Sequence, residues 1–353
     1  MTSLIALLLA SGLLYACTAC AAGDTSRPAP AQPTRPQRMS AVLVGEDSKT
    51  DCVYSAESVT VLDTFENLVH RTFDCVLIYN DDSPNWAGWQ DPWFLREQGV
   101  PSHNWQAWAT ARDTQRELII TQGLFPGSVY GTNWMAPCAR GAFDIHARIL
   151  ALKLVAAGLG NAVIRLGHEA NDSASPWFVG NTDQDYRLWD ECWRHMVLTM
   201  KSVPGTHFLF DWTINAYWEP IPLSWWYPGN DVVNIIGIDA YDAGVPAGEN
   251  RWETIYGQKD GIKQVLQFAA ANNRPVSIGE WGLWEPGSDT LGGGDDPTYV
   301  NDIAGVVKHN RVDYQSYFYN LAPAMLLTDS PMSLAAYRKH FGGGGDTTGT
   351  PSP

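Results

Sequence analysis

The stretch VIRLGHEAN, residues 163–171, decides the fold that this sequence predicts. It begins as an apolar run typical of a buried strand and ends in a charged tip that contains His168 and Glu169. A second segment, PVSIGEWGLW at residues 275–284, repeats this order and carries Glu280 among tryptophans. Two carboxyl groups at the ends of two buried strands indicate a glycosidase, because that chemistry needs one proton donor and one nucleophile or base.

Strand-like and helix-like segments alternate along the chain from Ala41 onward. The strand-like segments are continuously apolar in the middle, which is typical of parallel strands covered on both faces. Eight such β/α units over about 300 residues predict an α/β fold of the (β/α)8 TIM barrel type. A doubly wound open sheet is the alternative, but no G-x-G-x-x-G motif follows the first run. Thr182 and Asp185 predict a capping box at the start of the fourth helix. The eight predicted strands span residues 41–45, 75–80, 117–123, 162–169, 207–213, 233–241, 275–281 and 314–320.

Three short segments flank the predicted barrel domain. Leu4–Ala16 is an apolar stretch that is too short to span a bilayer and is typical of a secretory signal. Cys17 resembles a lipoprotein acylation site, with Cys20 as the alternative, and a lipid anchor there would tether the domain to a membrane. The sequence therefore indicates a secreted or cell-surface protein. The predicted boundaries are a signal peptide at 1–22, a Pro-rich spacer at 23–40, the barrel at 41–341 and a Gly-rich flexible tail at 342–353.

The composition restricts the class of partner. A formal net charge of -15 and an isoelectric point near 4.8 disfavour nucleic acid and polyanionic glycans, because like charges repel. The 16 Trp and 14 Tyr residues exceed what one core needs, and flat aromatic faces hold the apolar faces of neutral ligands. For roughly half of these rings, ordinary core packing is the alternative. We expect a neutral polysaccharide as the substrate, no nucleic-acid partner and a monomer.

Four cysteines follow the predicted signal region: Cys52, Cys75, Cys138 and Cys192. An even set in an exported chain predicts two disulfides, and four cysteines allow three pairings, which the sequence leaves open. Buried free thiols are the alternative. We expect no metal ion and no cofactor, because no CxxC remains in the mature chain and the histidines show no HxxxH or HxxH spacing.

The segments around the two Glu residues are similar to those of glycoside hydrolase family 26, a group of barrel enzymes that includes β-mannanases, β-1,3-xylanases and mixed-linkage glucanases. The pairing of His168 with Glu169 is the more specific feature, because most relatives in the wider clan have Asn before the acid. The resemblance covers residues 41–341 and implies catalytic Glu residues at the ends of strands four and seven, which meet at one mouth of the barrel. It is carried by RLGHEAN at 165–171, Trp177, YPGNDVVNIIGIDAYD at 227–242 and SIGEWG at 277–282.

The resemblance implies that Glu169 is the acid/base and Glu280 the nucleophile of a retaining hydrolase, which works through a covalent glycosyl-enzyme intermediate. General chemistry agrees, because the acid needs a raised pKa and the nucleophile needs hydrogen-bond donors, for which Tyr241 and Arg165 are suitable. A retaining enzyme should hold its carboxyl groups about 5–5.5 Å apart. The expected substrate-binding residues are Arg165, His168, Asn171, Trp177, Tyr241 and Trp281.

Two departures from the family pattern limit the substrate prediction. Asp172 stands where family members tend to carry Gly, and TQGLFPG at 121–127 lacks the His that many mannanases place near the end of strand three. The predicted activity is endo-hydrolysis of a neutral β-linked polysaccharide, with β-mannan favoured over β-1,3/1,4-glucan and β-1,3-xylan. The alternatives are a carbohydrate-binding barrel without turnover and a glycosidase specific for the producer's own cell-envelope polysaccharide.

Overall fold

Eight parallel strands close into one barrel, in the order in which they follow each other along the chain. Each strand pairs with the next, and the last pairs with the first, so the predicted (β/α)8 TIM barrel is confirmed. The structure is a computed structural model that describes residues 51–80, 82–111, 116–216, 221–246, 248–287, 291–319 and 327–343. The strands are β1 (Asp51–Ser55), β2 (Cys75–Asn80), β3 (Glu117–Gln122), β4 (Val163–Leu166), β5 (Leu209–Asn215), β6 (Ile235–Asp242), β7 (Val276–Leu283) and β8 (Val312–Tyr319).

The prediction of the first strand differs from the structure, the second strand is as predicted, and the other six differ only at their ends. Residues 41–45 lie outside the described residues, and the barrel begins with DCVYS of β1. This strand has polar ends, so it lacks a continuous apolar run; Asp51 is buried against Arg71 at 2.5 Å. The predicted signal peptide, spacer and most of the tail also lie outside the described residues, and these boundaries stay predictions.

Helices cover the outside of the barrel and follow the apolar spacing of the sequence. The helix α7 begins with the predicted capping box, in which the side chains of Thr182 and Asp185 each accept a hydrogen bond from the other's backbone N–H. Within the described residues, no helix is both long and apolar enough to cross a membrane. The α-helices described are α1 (Val59–Val69), α2 (Trp86–Trp89), α3 (Trp93–Arg96), α4 (Trp105–Thr110), α5 (Met135–Ala139), α6 (Asp144–Ala156), α7 (Asp183–Lys201), α8 (Arg251–Gly257), α9 (Ile262–Ala271), α10 (Pro297–His309) and α11 (Pro331–Phe341).

Side chains alternate between the barrel interior and the helix layer along each strand. The outward residues pack with the helices in one large apolar cluster. The inward residues form a second apolar cluster, which includes Cys52 near the start of β1 and Phe318 near the end of β8. Toward the ends of the strands the interior becomes polar, with the buried side chains of Arg165, Asp211 and Asp239. The barrel therefore buries these three charged side chains in its interior beneath the mouth.

Both predicted disulfides are present, and the structure decides between the three pairings. The first bond joins Cys52 of β1 to Cys75 of β2 inside the barrel, where the two strands are neighbours. The second joins Cys138 of α5 to Cys192 of α7 in the helix layer. Each closes a long loop of the unfolded chain and is expected to stabilise the fold by about 3–4 kcal/mol.

Candidate active site

Glu169 lies in the loop after β4, at the mouth formed by the ends of the strands. Gly167 adopts a left-handed conformation (φ 57°) that turns the chain out of the strand. Glu169 is also left-handed (φ 53°), which is a costly conformation for a residue with a side chain. Its backbone N–H donates to the carbonyl oxygen of Thr213 on β5 at 3.0 Å. This hydrogen bond fixes the backbone of the turn that carries the Glu169 side chain.

Glu280 faces the barrel interior because β7 contains a bulge at Gly279. Two successive residues of β6 pair with Ile278 and Glu280 of β7, so Gly279 is an extra residue in the ladder. In a regular strand, Ser277 and Glu280 would face opposite sides, because side chains alternate. The extra residue reverses this alternation, and both side chains point inward.

Trp281 faces the helix layer for the same reason, so the predicted contact between Trp281 and sugar is wrong. Its side chain is fully buried, and the indole N–H donates to Gln315. The ring packs against Tyr317 and Tyr337. Trp281 therefore belongs to the core between the barrel and its helices.

Arg165 is a fully buried cation that binds two carboxyl groups beneath the mouth. Its Nη1 donates to Glu280 Oε1 at 2.8 Å, and its Nη2 donates to Asp239 Oδ2 at 2.5 Å. Nη1 and Nε also donate to the hydroxyl groups of Thr121 and Thr213, at 2.9 and 3.3 Å. These contacts agree with the predicted donor role toward Glu280. The predicted contact between Arg165 and substrate is wrong, because the side chain is 0% exposed.

The two candidate catalytic groups have pKa values displaced in opposite directions. Burial raises the pKa of Glu169 to about 8, and the negative charge of Glu280 adds to this effect. Burial also acts to raise the pKa of Glu280, but the Arg165 charge, followed by His168 and a hydrogen bond from Tyr79, holds that pKa below its usual range. At neutral pH, Glu169 therefore carries a proton and Glu280 is ionised.

Asp239 is the third acid of the site. One carboxylate oxygen from each of Glu169, Asp239 and Glu280 lies within 4.8 Å of the other two. Burial raises the pKa of Asp239 well above its usual range, although Arg165 acts in the opposite direction. One buried cation cannot compensate all three acids, so the negative charge concentrates on Glu280, which also accepts a hydrogen bond from Tyr241 Oη at 2.8 Å.

His168 and two tyrosines surround the carboxyl groups. Burial, and then the Arg165 charge, lower the pKa of His168 to about 4, so its imidazole is neutral near pH 7. Tyr241 donates to Glu280, which agrees with the donor role expected from its position at the end of strand six. The sequence analysis missed Tyr79, which ends the apolar run of β2, hydrogen-bonds Glu280 and places its ring 5.9 Å from that of His168. An aromatic hydroxyl at a strand end was the available signal, as it was for Tyr241.

Asn171 holds two loops of the mouth together. Its Nδ2 donates to the carbonyl oxygen of Asn215 at 2.8 Å, and its Oδ1 accepts from the Asn215 backbone N–H at 2.9 Å. The residue is fully buried. The predicted contact between Asn171 and sugar is therefore wrong, because both ends of the amide bind the backbone at the end of β5.

Trp177 anchors the loop after β4 through a hydrogen bond to its backbone. Its indole N–H donates to the carbonyl oxygen of His168 at 2.6 Å, and its ring lies 6.1 Å from that of Phe125. Only 4% of Trp177 is exposed, so little of its surface remains for sugar. Trp284 is half-buried, and its ring lies 4.8 Å from that of Tyr241 at the mouth. Sugar contact by Trp177 stays a prediction.

A cavity of about 290 Å³ opens beside Glu169. Asp82 and Asp172 contribute carboxyl groups to its wall, and neutral His168 contributes an imidazole. The cavity therefore offers hydrogen-bond acceptors and no strong cation, which suits a neutral ligand rich in hydroxyl groups. A larger groove of about 530 Å³ lies at the end of α1, and its lining includes none of the residues of the candidate site.

The sequence of residues 157–275 matches the family model of glycosyl hydrolase family 26. The matched segment contains Glu169 and the strands β4 to β6, and it ends before Glu280. The match confirms the family 26 resemblance and the prediction of a glycoside hydrolase. A search of curated protein sequences finds no match to the chain.

Three solved structures illustrate the likeness of fold. The GH26C protein of Muricauda sp. MAR_2010_75 is 15% identical, with a TM-score of 0.60 over 84% of this chain and 86% of that one. The modular endo-β-1,4-mannanase of Cellulomonas fimi is 13% identical, with a TM-score of 0.57 over 82% and 70% of the two chains. The mannanase Man26 of Bacillus subtilis is 13% identical, with a TM-score of 0.54 over 82% and 85%. At these identities the likeness concerns the fold alone.

Proposed function

We propose that this protein is a secreted, retaining endo-β-glycosidase that hydrolyses a neutral β-linked polysaccharide, with β-mannan as the favoured substrate. One observation carries the proposal: Glu169 and Glu280 bring carboxylate oxygens within 4.8 Å of each other at one mouth, and their pKa values are displaced in opposite directions. A short separation of the two carboxyl groups favours direct attack by Glu280, because an inverting enzyme needs room for a water molecule near its second carboxylate.

In the first step, a Glu280 oxygen attacks the anomeric carbon while Glu169 gives its proton to the glycosidic oxygen. The bond between that carbon and oxygen breaks, and the sugar becomes an ester of Glu280. Arg165 and Tyr241 each donate a hydrogen bond to Glu280, so they stabilise its charge before attack and again when it leaves.

In the second step, Glu169 acts as a base. Formation of the ester removes the charge of Glu280, which is one of the causes of the raised Glu169 pKa. The pKa of Glu169 therefore falls in the intermediate, and its carboxylate takes a proton from the attacking water. The water oxygen bonds to the anomeric carbon, Glu280 leaves, and Glu169 is protonated again.

The substrate assignment is supported by charge and by the relatives. The carboxyl groups of Asp82 and Asp172 line the cavity beside Glu169, so an anionic sugar would be repelled there. The structures of similar fold include mannanases from Cellulomonas fimi and Bacillus subtilis, which favours β-mannan among the neutral β-glycans. Two disulfides fit an oxidising compartment and thus support export.

The proposal is tested with β-mannan, β-1,3/1,4-glucan and β-1,3-xylan as separate substrates. We expect a ladder of oligosaccharides from β-mannan in product chromatography, and proton NMR of the first product should show a retained anomeric configuration. An inverted first product would remove the nucleophile role of Glu280. Binding to these polymers without any product would support the alternative of a carbohydrate-binding barrel.

A further inference from the structure

A second polar layer lies beneath the candidate carboxyl groups, inside the barrel. Its centre is Asp211 of β5, which is fully buried. Asp211 accepts hydrogen bonds from Ser277 Oγ at 2.6 Å, from Tyr314 Oη at 2.5 Å and from Thr213 Oγ1 at 3.0 Å. None of these residues lines the cavity beside Glu169. Any effect that they have on the candidate catalytic residues is therefore transmitted through other protein groups.

Thr213 connects this layer to both candidate catalytic residues. Its hydroxyl donates to Asp211 and accepts a hydrogen bond from Arg165 Nε at 3.3 Å. Arg165 in turn donates to Glu280 at 2.8 Å. The carbonyl oxygen of the same Thr213 accepts the backbone N–H of Glu169 at 3.0 Å. Thr213 thus binds both the backbone of Glu169 and the side chain of Arg165, which in turn binds Glu280.

Gly237 of β6 leaves the space in which the side chains of Thr213 and Ser277 approach Asp211. A Cβ atom at Gly237 of β6 would overlap Asp211 Oδ1, and it would lie only 2.7 Å from Ser277 Oγ and 2.8 Å from Thr213 Oγ1. Any larger residue at position 237 would push these three side chains apart, because interiors of proteins are close-packed. The close approach of the hydroxyl groups to Asp211 is therefore built into the sequence of β6.

We propose that Thr213 is a positioning residue, which orients the Arg165 guanidinium toward Glu280 and at the same time fixes the backbone of Glu169. The inference rests on the proposed function, because it concerns the same nucleophile and acid. A guanidinium is a rigid planar fork, so a hydrogen bond at Nε sets the plane in which both Nη atoms lie. With that plane fixed, Nη1 meets Glu280 while Nη2 meets Asp239.

A purely structural role for Thr213 makes a different prediction. If its hydroxyl only satisfied Asp211, its removal would lower the stability of the barrel without changing the ionisation of Glu280. Ser277 provides the matched control, because it also donates to Asp211 and has no contact with Arg165 among the hydrogen bonds of the described residues. The two variants Thr213→Val and Ser277→Ala therefore separate positioning from support.

The direct measurement is carbon-13 NMR of protein labelled at the Glu side-chain carboxyl carbons, with the Glu280 signal assigned from Glu280→Gln. Loss of the Thr213 hydroxyl weakens the hold of Arg165 on Glu280, so the Glu280 midpoint should rise by about one pH unit, the size expected for a hydrogen bond to a charged group. Thr213→Ser should restore the wild-type midpoint. Ser277→Ala should leave the midpoint unchanged while it lowers the melting temperature.

Kinetics provide the second readout. In Thr213→Val we expect the acidic limb of kcat/KM to move to higher pH and kcat to fall about tenfold, with KM nearly unchanged. If Thr213→Val does not fold, Thr213→Ala removes the same hydroxyl from a smaller side chain, and the same rise of the Glu280 midpoint is expected. An unchanged Glu280 midpoint in the folded variant, or an equal shift in Ser277→Ala, would overturn the proposal. The titration needs no turnover, so an inactive wild-type protein would refute the proposed function alone.

Discussion

Arg165 donates from Nη1 to Glu280 Oε1 across 2.8 Å, and this contact joins β4 to β7 through the barrel interior. Arg165 is fully buried, and the side chain of Glu280 is only 8% exposed. Removal of one partner of such a pair leaves an uncompensated buried charge, at a cost of about 3–5 kcal/mol. The ionisation of Glu280 and part of the stability of the fold therefore depend on the same contact.

The first prediction concerns the two carboxyl groups. Glu280→Ala should abolish turnover and leave the circular dichroism spectrum unchanged, because no other ionised carboxylate faces the anomeric carbon in the proposed mechanism. Glu169→Ala should slow glycosylation most for substrates with poor leaving groups, since an acid matters only when departure needs a proton. Aryl glycosides of graded leaving-group pKa provide the measurement. Near-normal activity of Glu280→Ala would refute the assignment of Glu280 as the nucleophile.

A second prediction links Glu169 to the pH dependence of stability. The folded-state pKa of about 8 lies above the usual value of 4.5, so the folded protein binds the proton more tightly than the unfolded chain. This contribution is fully present below about pH 4.5 and is lost as the pH rises through about 8. Glu169→Gln cannot lose a proton, so its melting temperature should exceed that of the wild type near pH 9 and approach it near pH 4.5. Parallel curves for the two proteins would contradict the raised pKa.

The third prediction concerns Asp172, whose charge raises the pKa of Glu169. Its Oδ1 also accepts the backbone N–H of Ala174 at 2.8 Å, and Asn keeps this acceptor while it removes the charge. Asp172→Asn should therefore shift the basic limb of kcat/KM to lower pH by about 0.3–0.5 units, as expected for one charge at a hydrated distance of several Å. Asp172→Gly should show the same shift together with a lower melting temperature. A basic limb that stays in place in both variants would exclude this electrostatic role.

The fourth prediction separates two tryptophans near the mouth. Trp284 is half-buried beside Tyr241, so Trp284→Ala should raise KM with little effect on kcat if its ring only holds sugar. Trp177 holds the carbonyl oxygen of His168 at 2.6 Å, so Trp177→Ala should disturb the neighbouring Glu169 and lower kcat. Steady-state kinetics on one oligosaccharide compare the two variants. The reverse pattern would show that Trp177 is the stacking platform.

The fold was predictable because buried parallel strands and amphipathic helices leave periodic signals in the sequence. The signal of a buried strand is weak at β1, because the polar residues Asp51 and Ser55 stand at its two ends and leave only a short apolar run between them, although both are buried. It also carries no information about Gly279, since an extra residue in a strand changes no composition and only reverses which side chains face inward. For this reason Trp281 was expected at the mouth.

The site was predictable in its carboxyl groups and less so in the residues around them. Motif position placed Glu169, Glu280 and Tyr241 correctly at the strand ends, because a barrel gathers those ends at one mouth. Position along a motif does not tell which polar side chains are buried. Arg165 and Asn171 were therefore interpreted as sugar contacts, although they bind protein groups beneath the mouth.

A transplant of the segment SIGEW, residues 277–281, into an uninterrupted strand of another barrel would fail. If Gly279 took an ordinary position in a regular ladder, the carboxylate would enter the packed helices and the indole would enter the mouth. An enzyme engineer must therefore copy the irregular backbone of β7 together with its side chains. The same relationship applies to deletion scanning: loss of Gly279 leaves Ile278 and Glu280 as successive residues of a regular ladder, which should keep the carboxylate inside the barrel and the indole in the helix layer.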